Sequence, residues 1–168
     1  MVVEVKVAGL ALDEKSKAPI VVLKNDTGEK VLPIVIGVLE ASAIAAALEK
    51  IDFPRPMTHD LAVNLIRELC GTLERIEVTD LINDTFYAVL VLSSPKGPLT
   101  VDARPSDSIA LALRTGAPIF VSEKVFEKTA QRSPEEGGEG GGGTGGGDDP
   151  WRDMLENLDD EDFGKYKM

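Results

Sequence analysis

A cluster of polar side chains marks a junction between an alternating segment and an apolar one. Asp102, Arg104, Ser106 and Asp107 fall within one hexapeptide. Alternation along residues 99–103 puts Asp102 and Arg104 on the same face of a strand, and Pro105 prevents that strand from continuing. Ser106 is predicted to cap the helix that follows, which places Asp107 in its first turn. Carboxylates, a guanidinium and hydroxyls at a strand end are groups that bind phosphates or metal ions, so chemistry is expected here.

The same residues also have a purely structural interpretation. Serine followed by aspartate is an ordinary helix start, because the acid is stabilised by the helix dipole. Asp102 and Arg104 would then form only an exposed ion pair. Capping accounts for Ser106 and Asp107, but it does not explain why an arginine and Asp102 share a face beside them, so both interpretations stay open.

The second candidate cluster surrounds His59, which is the only histidine of the chain. Two prolines hold Arg55 just upstream, and Thr58 is predicted to cap a helix whose first turn contains His59 and Asp60. A protonated histidine is disfavoured at a helix start, so a neutral imidazole is expected, which suits a general base or a metal ligand. The alternative is a solvated residue without a chemical role. A single histidine also excludes two histidines of one subunit acting as acid and base.

A third carboxylate, that of Glu40, lies on the predicted buried side of a helix over residues 37–50. Ile44, Leu48 and Ile51 form the apolar stripe of this helix, and Glu40 precedes Ile44 by four residues. In the structural interpretation, the helix dipole and the free N–H groups of the first turn stabilise Glu40. In the functional one, Glu40 faces a cleft as a metal ligand or a base.

Composition indicates one globular domain followed by a tail. The chain has 168 residues, of which 43% are hydrophobic, enough to form an ordinary core. Cys70 is the only cysteine, which excludes an internal disulfide and a cysteine-based metal cage and favours the cytoplasm. The first ten residues interleave charges with valines, unlike a signal peptide, and no apolar run is long enough to cross a membrane. No membrane association is expected.

The negative charge is concentrated near the C-terminus. Of the formal net charge of −11, residues 133–168 carry −8, from 3 Lys plus Arg against 11 Asp plus Glu. Residues 1–132 carry 15 against 18, or −3. The globular part is therefore nearly balanced, and a local basic cleft for a polyanion remains compatible with its composition.

Strand patterns dominate the first 36 residues. Gly9 shifts the phase of the first strand, which indicates a bulge, and Asp26-Thr27-Gly28 separates the second strand from the third. Pro33 predicts that the third strand lies at an edge or is irregular. Two longer strands meet at Asn83-Asp84, and the second of them is apolar on both faces, which predicts a central position.

The helical patterns are shorter. A helix over residues 59–70 is predicted to bury Leu61, Leu65, Ile66 and Leu69. The helix after the first polar cluster is apolar nearly all round, so it must be buried, and Gly116 ends it. A short strand and a brief helix from Ser122 complete an α+β domain of about seven strands and three to four helices.

Beyond residue 130 the composition changes abruptly. Residues 131–150 are rich in glycine and predict a flexible linker without a core. Residues 151–168 predict a short acidic amphipathic tail, because Trp151, Met154, Leu155 and Leu158 recur near helical spacing. Such a tail is typical of a tethered recognition element whose partner is its own domain, a neighbouring subunit or another protein.

Three segments together resemble the bifunctional nuclease family of bacteria and plants. They are LPIVIGVLEASAIAAAL, RPMTHDL and DARPSDSIALALRTGAPIFV, in this order within residues 1–130. The resemblance implies an α+β domain with a strongly curved mixed sheet, a homo-oligomer and cleavage of both RNA and DNA. The tail is similar to short tails of some bacterial members, and Ser108 stands where such proteins often have alanine.

The roles within this resemblance are inferred from chemistry. Phosphodiester hydrolysis needs an activated water, charge stabilisation at the phosphoryl oxygens and help for the leaving oxygen. We predict His59, Asp60, Asp102 and Asp107 as catalytic residues, with His59 as the base. Arg55, Arg104 and Ser106 are predicted to bind phosphate.

A metal ion is a further expectation. Hard oxygen ligands without cysteines favour Mg²⁺ or Mn²⁺, with Asp102, Asp107 and Glu40 as its ligands, and no organic cofactor is expected. Two alternatives stay open. One is a non-catalytic oligomeric module that acts through its tail, and the other is a pocket in which Arg55 and Arg104 bind a small anionic ligand.

Overall fold

A mixed seven-stranded sheet forms the centre of the domain in the computed structural model, which describes residues 1–131. The strands are β1 (Val2–Leu12), β2 (Pro19–Lys24), β3 (Val31–Val35), β4 (Thr72–Ile82), β5 (Thr85–Ser93), β6 (Leu99–Ala103) and β7 (Ile119–Ser122), in the spatial order β3-β2-β1-β7-β4-β5-β6. Only the pair β4 and β7 is parallel. The α+β class and the seven strands are confirmed. The predicted linker and tail lie outside the described residues, apart from residue 131.

Four helices accompany the sheet in the described residues. They are α1 (Val38–Leu48), α2 (Thr58–Glu68), α3 (Pro105–Thr115) and α4 (Glu123–Ala130). Helix α3 packs on β4 and β5 and also contacts both α1 and α2. The core contains buried residues of the sheet and of all four helices, and α3 links α1 with α2. None of these four helices is long and apolar enough to span a bilayer.

Local signals in the sequence predicted the strand irregularities correctly. The register of β1 against β2 shifts between Val7 and Gly9, which confirms the bulge. Strand β3, with Pro33, lies at an edge of the sheet, where its missing N–H costs no ladder hydrogen bond. Asn83 and Asp84 have φ values of 46° and 64°, so the hairpin of β4 and β5 turns through two left-handed residues.

Strand β5 fits its prediction only in part. It has strand neighbours on both sides, β4 and β6, as a central strand should. Its burial nevertheless alternates, with Ala88, Leu90 and Leu92 buried and the residues between them more accessible. The apolar residues on the second face are therefore partly open to solvent.

The buried helix was predicted correctly. Seven residues of α3 are buried, and among them Ile109 and Ala110 are completely inaccessible. Gly116 ends the helix at φ 75°, a left-handed conformation that glycine adopts without strain, and its N–H donates to the Ala112 carbonyl.

The predicted buried faces of the other two helices were wrong in part. In α1, Ile44 is fully buried, but Leu48 and the following Ile51 are 37% and 52% exposed. In α2 the buried residue is Val63, with Ile66 packed partly against the core. The three leucines predicted for that core face are exposed. Apolar residues surround most of α1, and in α2 they form one broad stripe that extends beyond the contact with α3. Periodicity alone therefore does not specify which side of either helix meets α3.

Two isoleucine truncations test this assignment. Ile44→Ala should lower the free energy of unfolding by about 2 to 5 kcal/mol, because it leaves a cavity in the core. Ile51→Ala removes the same atoms from a half-exposed position and should cost no more than about 1 kcal/mol. Urea denaturation of both variants measures the difference. Equal losses of unfolding free energy would contradict the burial of Ile44 and the exposure of Ile51.

Candidate functional site

Three helix starts meet at one place and bring their polar side chains together. Glu40 lies in the first turn of α1, His59 in the first turn of α2, and Asp107 in the first turn of α3. Arg104 is the N-cap residue of α3. The packing of α3 against α1 and α2 produces this convergence. His59 from one predicted cluster and Arg104 and Asp107 from the other are therefore brought together in one site within a single subunit.

Arg104 connects two of the three helices. Its Nε donates to Oδ2 of Asp107 at 2.7 Å, and its Nη2 donates to Oδ1 at 3.1 Å. Its Nη1 donates to Oε1 of Glu40 at 2.8 Å. Hydrogen bonds and charge from Asp107, followed by those from Glu40, raise the pKa of Arg104. One guanidinium thus neutralises two carboxylates in a bidentate and a single contact.

Glu40 folds back over the start of its own helix. A Cβ atom at Gly37 would clash with Oε2 of Glu40, so glycine leaves the space in which this carboxylate lies. The Glu40 side chain is 22% exposed and pairs with Arg104. Glu40 therefore occupies the first-turn position that the structural interpretation expects, and its role as a metal ligand or a base stays a prediction.

His59 contacts the same carboxylate as Arg104. Its Nε2 lies 3.0 Å from Oδ1 of Asp107, and the imidazole is 17% exposed. Burial acts to raise the pKa of Asp107, but hydrogen bonds from Arg104 and His59 outweigh burial, so this pKa lies below its ordinary value. An ionised carboxylate only accepts hydrogen bonds, so Nε2 carries the proton. In the neutral imidazole, Nδ1 is then the nitrogen that can accept a proton.

Asp60 is engaged elsewhere. Its Oδ2 accepts a hydrogen bond from the backbone N–H of Met57 at 2.9 Å, and its Oδ1 accepts one from Nε of Arg114 at 2.7 Å. Burial opposes ionisation, but these two hydrogen bonds lower the pKa of Asp60 overall. Met57, not Thr58, is the N-cap of α2, so the predicted cap was wrong by one residue.

Three predicted site residues lie apart from the cluster. Asp102 is exposed on the edge strand β6, and within residues 1–131 its side chain makes no hydrogen bond or ion pair, which includes the expected pair with Arg104. Arg55 is likewise exposed and has no such partner in that range. Ser106 is 7% exposed and does not cap α3, because the helix begins at Pro105 with Arg104 as its cap.

The carboxylates are not grouped as metal ligands. In the described part of the chain, no three His, Cys, Asp or Glu side chains are placed to hold one metal ion. Asp107 and Glu40 are both paired with Arg104, and Asp102 is separate from them. This donor set does not fit the expected Mg²⁺ or Mn²⁺, so no chemical step is derived through a metal.

Sequence reasoning missed Arg114. This residue lies in the last turn of α3, a helix predicted to have almost no polar face, and it donates to Asp60 on α2. The missed signal is its spacing, because Arg114 follows Asp107 by two helical turns and therefore lies on the same face of α3.

Comparison with known proteins supports a nuclease family. The sequence model of the bifunctional nuclease domain matches residues 21–134. An uncharacterized protein of Mycobacterium tuberculosis is 36% identical over 162 residues, which cover 95% of this chain and 97% of that protein. Bifunctional nuclease 1 of rice is 26% identical over 69% of this chain, and bifunctional nuclease 2 of Arabidopsis thaliana is 26% identical over 61%. The matches cover only 36% and 32% of these plant proteins.

The lowered pKa of Asp107 predicts a specific dependence of stability on pH. Because its folded pKa is below the ordinary value of about 3.9, the ionised carboxylate stabilises the fold above that pH. This contribution is lost as the pH falls below about 4. Asp107→Asn should therefore destabilise the protein at pH 7, and the difference from the unmodified protein should shrink toward pH 3, as measured by urea denaturation.

Asp26→Asn is the matched control for this measurement. Asp26 pairs with Lys6 on the surface, where both side chains are more than two-thirds exposed, so its removal should change stability little. A difference for Asp107→Asn that stays constant from pH 7 to pH 3 would contradict the charged contact.

Proposed function

Because the chain belongs to the bifunctional nuclease domain family, we propose that it hydrolyses phosphodiester bonds of RNA and DNA with little base specificity. The observation that carries this proposal is the sharing of the Asp107 carboxylate by His59 and Arg104. His59, a candidate proton acceptor, and Arg104, a candidate phosphate ligand, are both hydrogen-bonded to this one carboxylate. The plant relatives are named bifunctional nucleases, which supports nuclease activity as the proposed reaction.

His59 is the proposed general base. Asp107 orients the ring through Nε2, so Nδ1 would take a proton from a water molecule as that water attacks phosphorus. The bond from the water oxygen to phosphorus forms, the bond to the leaving oxygen breaks, and the leaving oxygen takes a proton from solvent. Attack by water needs no ribose hydroxyl, so the same step serves RNA and DNA.

Arg104 is the proposed phosphate ligand. It is 64% exposed although it is paired with two acids, and its three hydrogen bonds leave two of its five N–H groups for phosphoryl oxygens. Binding through phosphate carries no base information, which suits cleavage with little sequence preference. Arg55 and Ser106 stay proposed as additional phosphate contacts. Arg55 is exposed, so its guanidinium is accessible to the backbone of a nucleic-acid strand.

Metal dependence stays a separate prediction. Asp102 is an exposed acid outside the cluster. In the described residues it belongs to no group of three metal-ligating side chains, so a divalent ion bound there would need ligands from elsewhere. The site chemistry proposed above uses side chains alone. The cytoplasm also stays the proposed location, in agreement with the single, unpaired and exposed Cys70.

Nuclease assays on purified variants test the proposal. His59→Ala and Asp107→Asn should each lower the cleavage rate of single-stranded RNA and DNA by about 100-fold or more, the range measured for general acid–base groups. Asp26→Asn, prepared in parallel, should retain the full rate because it lies in a separate surface pair. Full activity in both site variants would reject this site, and no cleavage by the unmodified protein would reject the function.

Chelation forms the second arm of the same assay. EDTA should leave the rate within about threefold if the side chains act alone. A loss that Mg²⁺ or Mn²⁺ restores, together with a loss in Asp102→Asn, would support the metal prediction instead.

A homo-oligomer also stays a proposal, and α2 offers a surface for it. Leu61, Leu65 and Leu69, here named the leucine ridge, recur every four residues and are 52%, 53% and 76% exposed. Full burial of one such side chain stabilises by about 1.5 to 3 kcal/mol. A second copy of the chain can cover the ridge with its own ridge, because a two-fold interface pairs the same patch from both subunits.

Leu65→Glu should therefore shift the protein toward monomer. The new charge lies in the middle of the leucine ridge, so sedimentation equilibrium should show a dissociation constant raised by at least 10-fold. Ala130→Glu adds the same charge to an exposed position of α4 and serves as the control. A monomeric unmodified protein, or an unchanged association of Leu65→Glu, would rule out this interface.

A further inference from the structure

We propose that Arg114 is a positioning residue that fixes the orientation of His59, a role that deepens the function proposed above and rests on it. Arg114 does not touch the His59–Asp107–Arg104 contacts. It acts two helical turns further along α3, about 10 Å away at 1.5 Å per residue. Asp60, predicted from the sequence as a catalytic acid, is its partner in this role.

The guanidinium of Arg114 joins the three helices that carry the site. Its Nε donates to Oδ1 of Asp60 on α2 at 2.7 Å. Its Nη1 donates to the carbonyl of Ala43 on α1 at 3.1 Å and to that of Ala110 on α3 at 2.9 Å. The helices that supply Glu40, His59 and Asp107 are therefore held by one side chain.

Burial distinguishes Arg114 from a ligand-binding arginine. Its side chain is 11% exposed, against 64% for Arg104. A buried guanidinium costs desolvation energy that only well-formed partners offset, and here these partners are a carboxylate and two carbonyls. Substrate has little access to Arg114, so its effect on chemistry must pass through the residues it holds.

Asp60 transmits this constraint to His59. Its other oxygen accepts the backbone N–H of Met57, which fixes the first turn of α2. His59 is the preceding residue of that turn, and its ring must reach Asp107 for the 3.0 Å contact. Attachment to α3 at two points, Asp107 and Arg114, restrains rotation of α2 about its own axis. Loss of the second point would let the imidazole turn away from the carboxylate.

Lysine should not replace arginine here. Arg114 donates in two directions from a planar fork, whereas a lysine ammonium is one compact group on a flexible stem. Lysine would keep the charge near Asp60 but would lose the simultaneous contact with the α1 carbonyl. Arg114→Lys therefore separates positioning from simple charge neutralisation.

The single histidine makes the test direct. In ¹⁵N-labelled protein, the ring nitrogens of His59 are the only imidazole signals, and they report which nitrogen carries the proton. The unmodified protein should show protonated Nε2 and unprotonated Nδ1 when the ring is neutral. Arg114→Lys and Asp60→Asn should both shift these signals toward a mixture of tautomers. They should also lower kcat by about 10- to 100-fold and change KM by less than threefold.

Lys128→Met is the matched control. Lys128 donates to Asp80 at 2.7 Å, so this variant removes an ion pair between α4 and β4, away from the site. It should change stability without changing the His59 signals or kcat. If Arg114→Lys leaves the ring signals and kcat as in the unmodified protein, the positioning role is overturned. If the unmodified protein cleaves nothing, the proposed function fails, but the ring signals still decide the positioning role.

Discussion

The ionised carboxylate of Asp107 is the contact on which the site depends. Burial disfavours its charge, and the hydrogen bonds of Arg104 and His59 restore it. Three consequences follow from that charge. The bidentate contact holds the Arg104 guanidinium in one orientation. His59 must donate from Nε2, and Nδ1 is therefore the nitrogen that can accept a proton. If the carboxyl group were neutral, the guanidinium and the imidazole would lose the negative charge that strengthens both hydrogen bonds.

The fold supplies this carboxylate in a place that tolerates it. Glu40, Asp60 and Asp107 are each found in the first turn of a helix, where free N–H groups and the helix dipole stabilise negative charge. Three helix starts near one another would concentrate positive potential, and the acids offset it. The structural and the functional interpretation of these residues are therefore not exclusive. The helix dipoles stabilise the negative charge of these carboxylates, and the same carboxylates accept hydrogen bonds from Arg104, Arg114 and His59.

The sequence predicted local features well and tertiary pairing poorly. The bulge at Gly9, the hairpin at Asn83-Asp84 and the burial of α3 each follow from the residues at those positions. The contact of His59 with Asp107 joins residues 48 positions apart, and only the packing of α2 on α3 creates it. The buried faces of α1 and α2 were ambiguous because apolar residues surround most of α1 and form a broad stripe on α2. Asp102 was misplaced because β6 ends at Ala103, so Arg104 belongs to the start of α3 and does not share a strand face with Asp102.

The contrast between Asp60 and Asp107 shows why residue type alone could not assign the roles. Both are aspartates in the first turn of a helix, both accept an arginine Nε at 2.7 Å, and both have a lowered pKa. The difference lies in the arginines. Arg114 is buried and bonded to carbonyls of two helices, so its guanidinium has little access to a ligand. Arg104 is largely exposed and keeps unused N–H groups, which is why the proposed phosphate contact lies at this pair and not at Asp60. The accessibility of the cation, which no short sequence pattern encodes, therefore distinguishes the two acids.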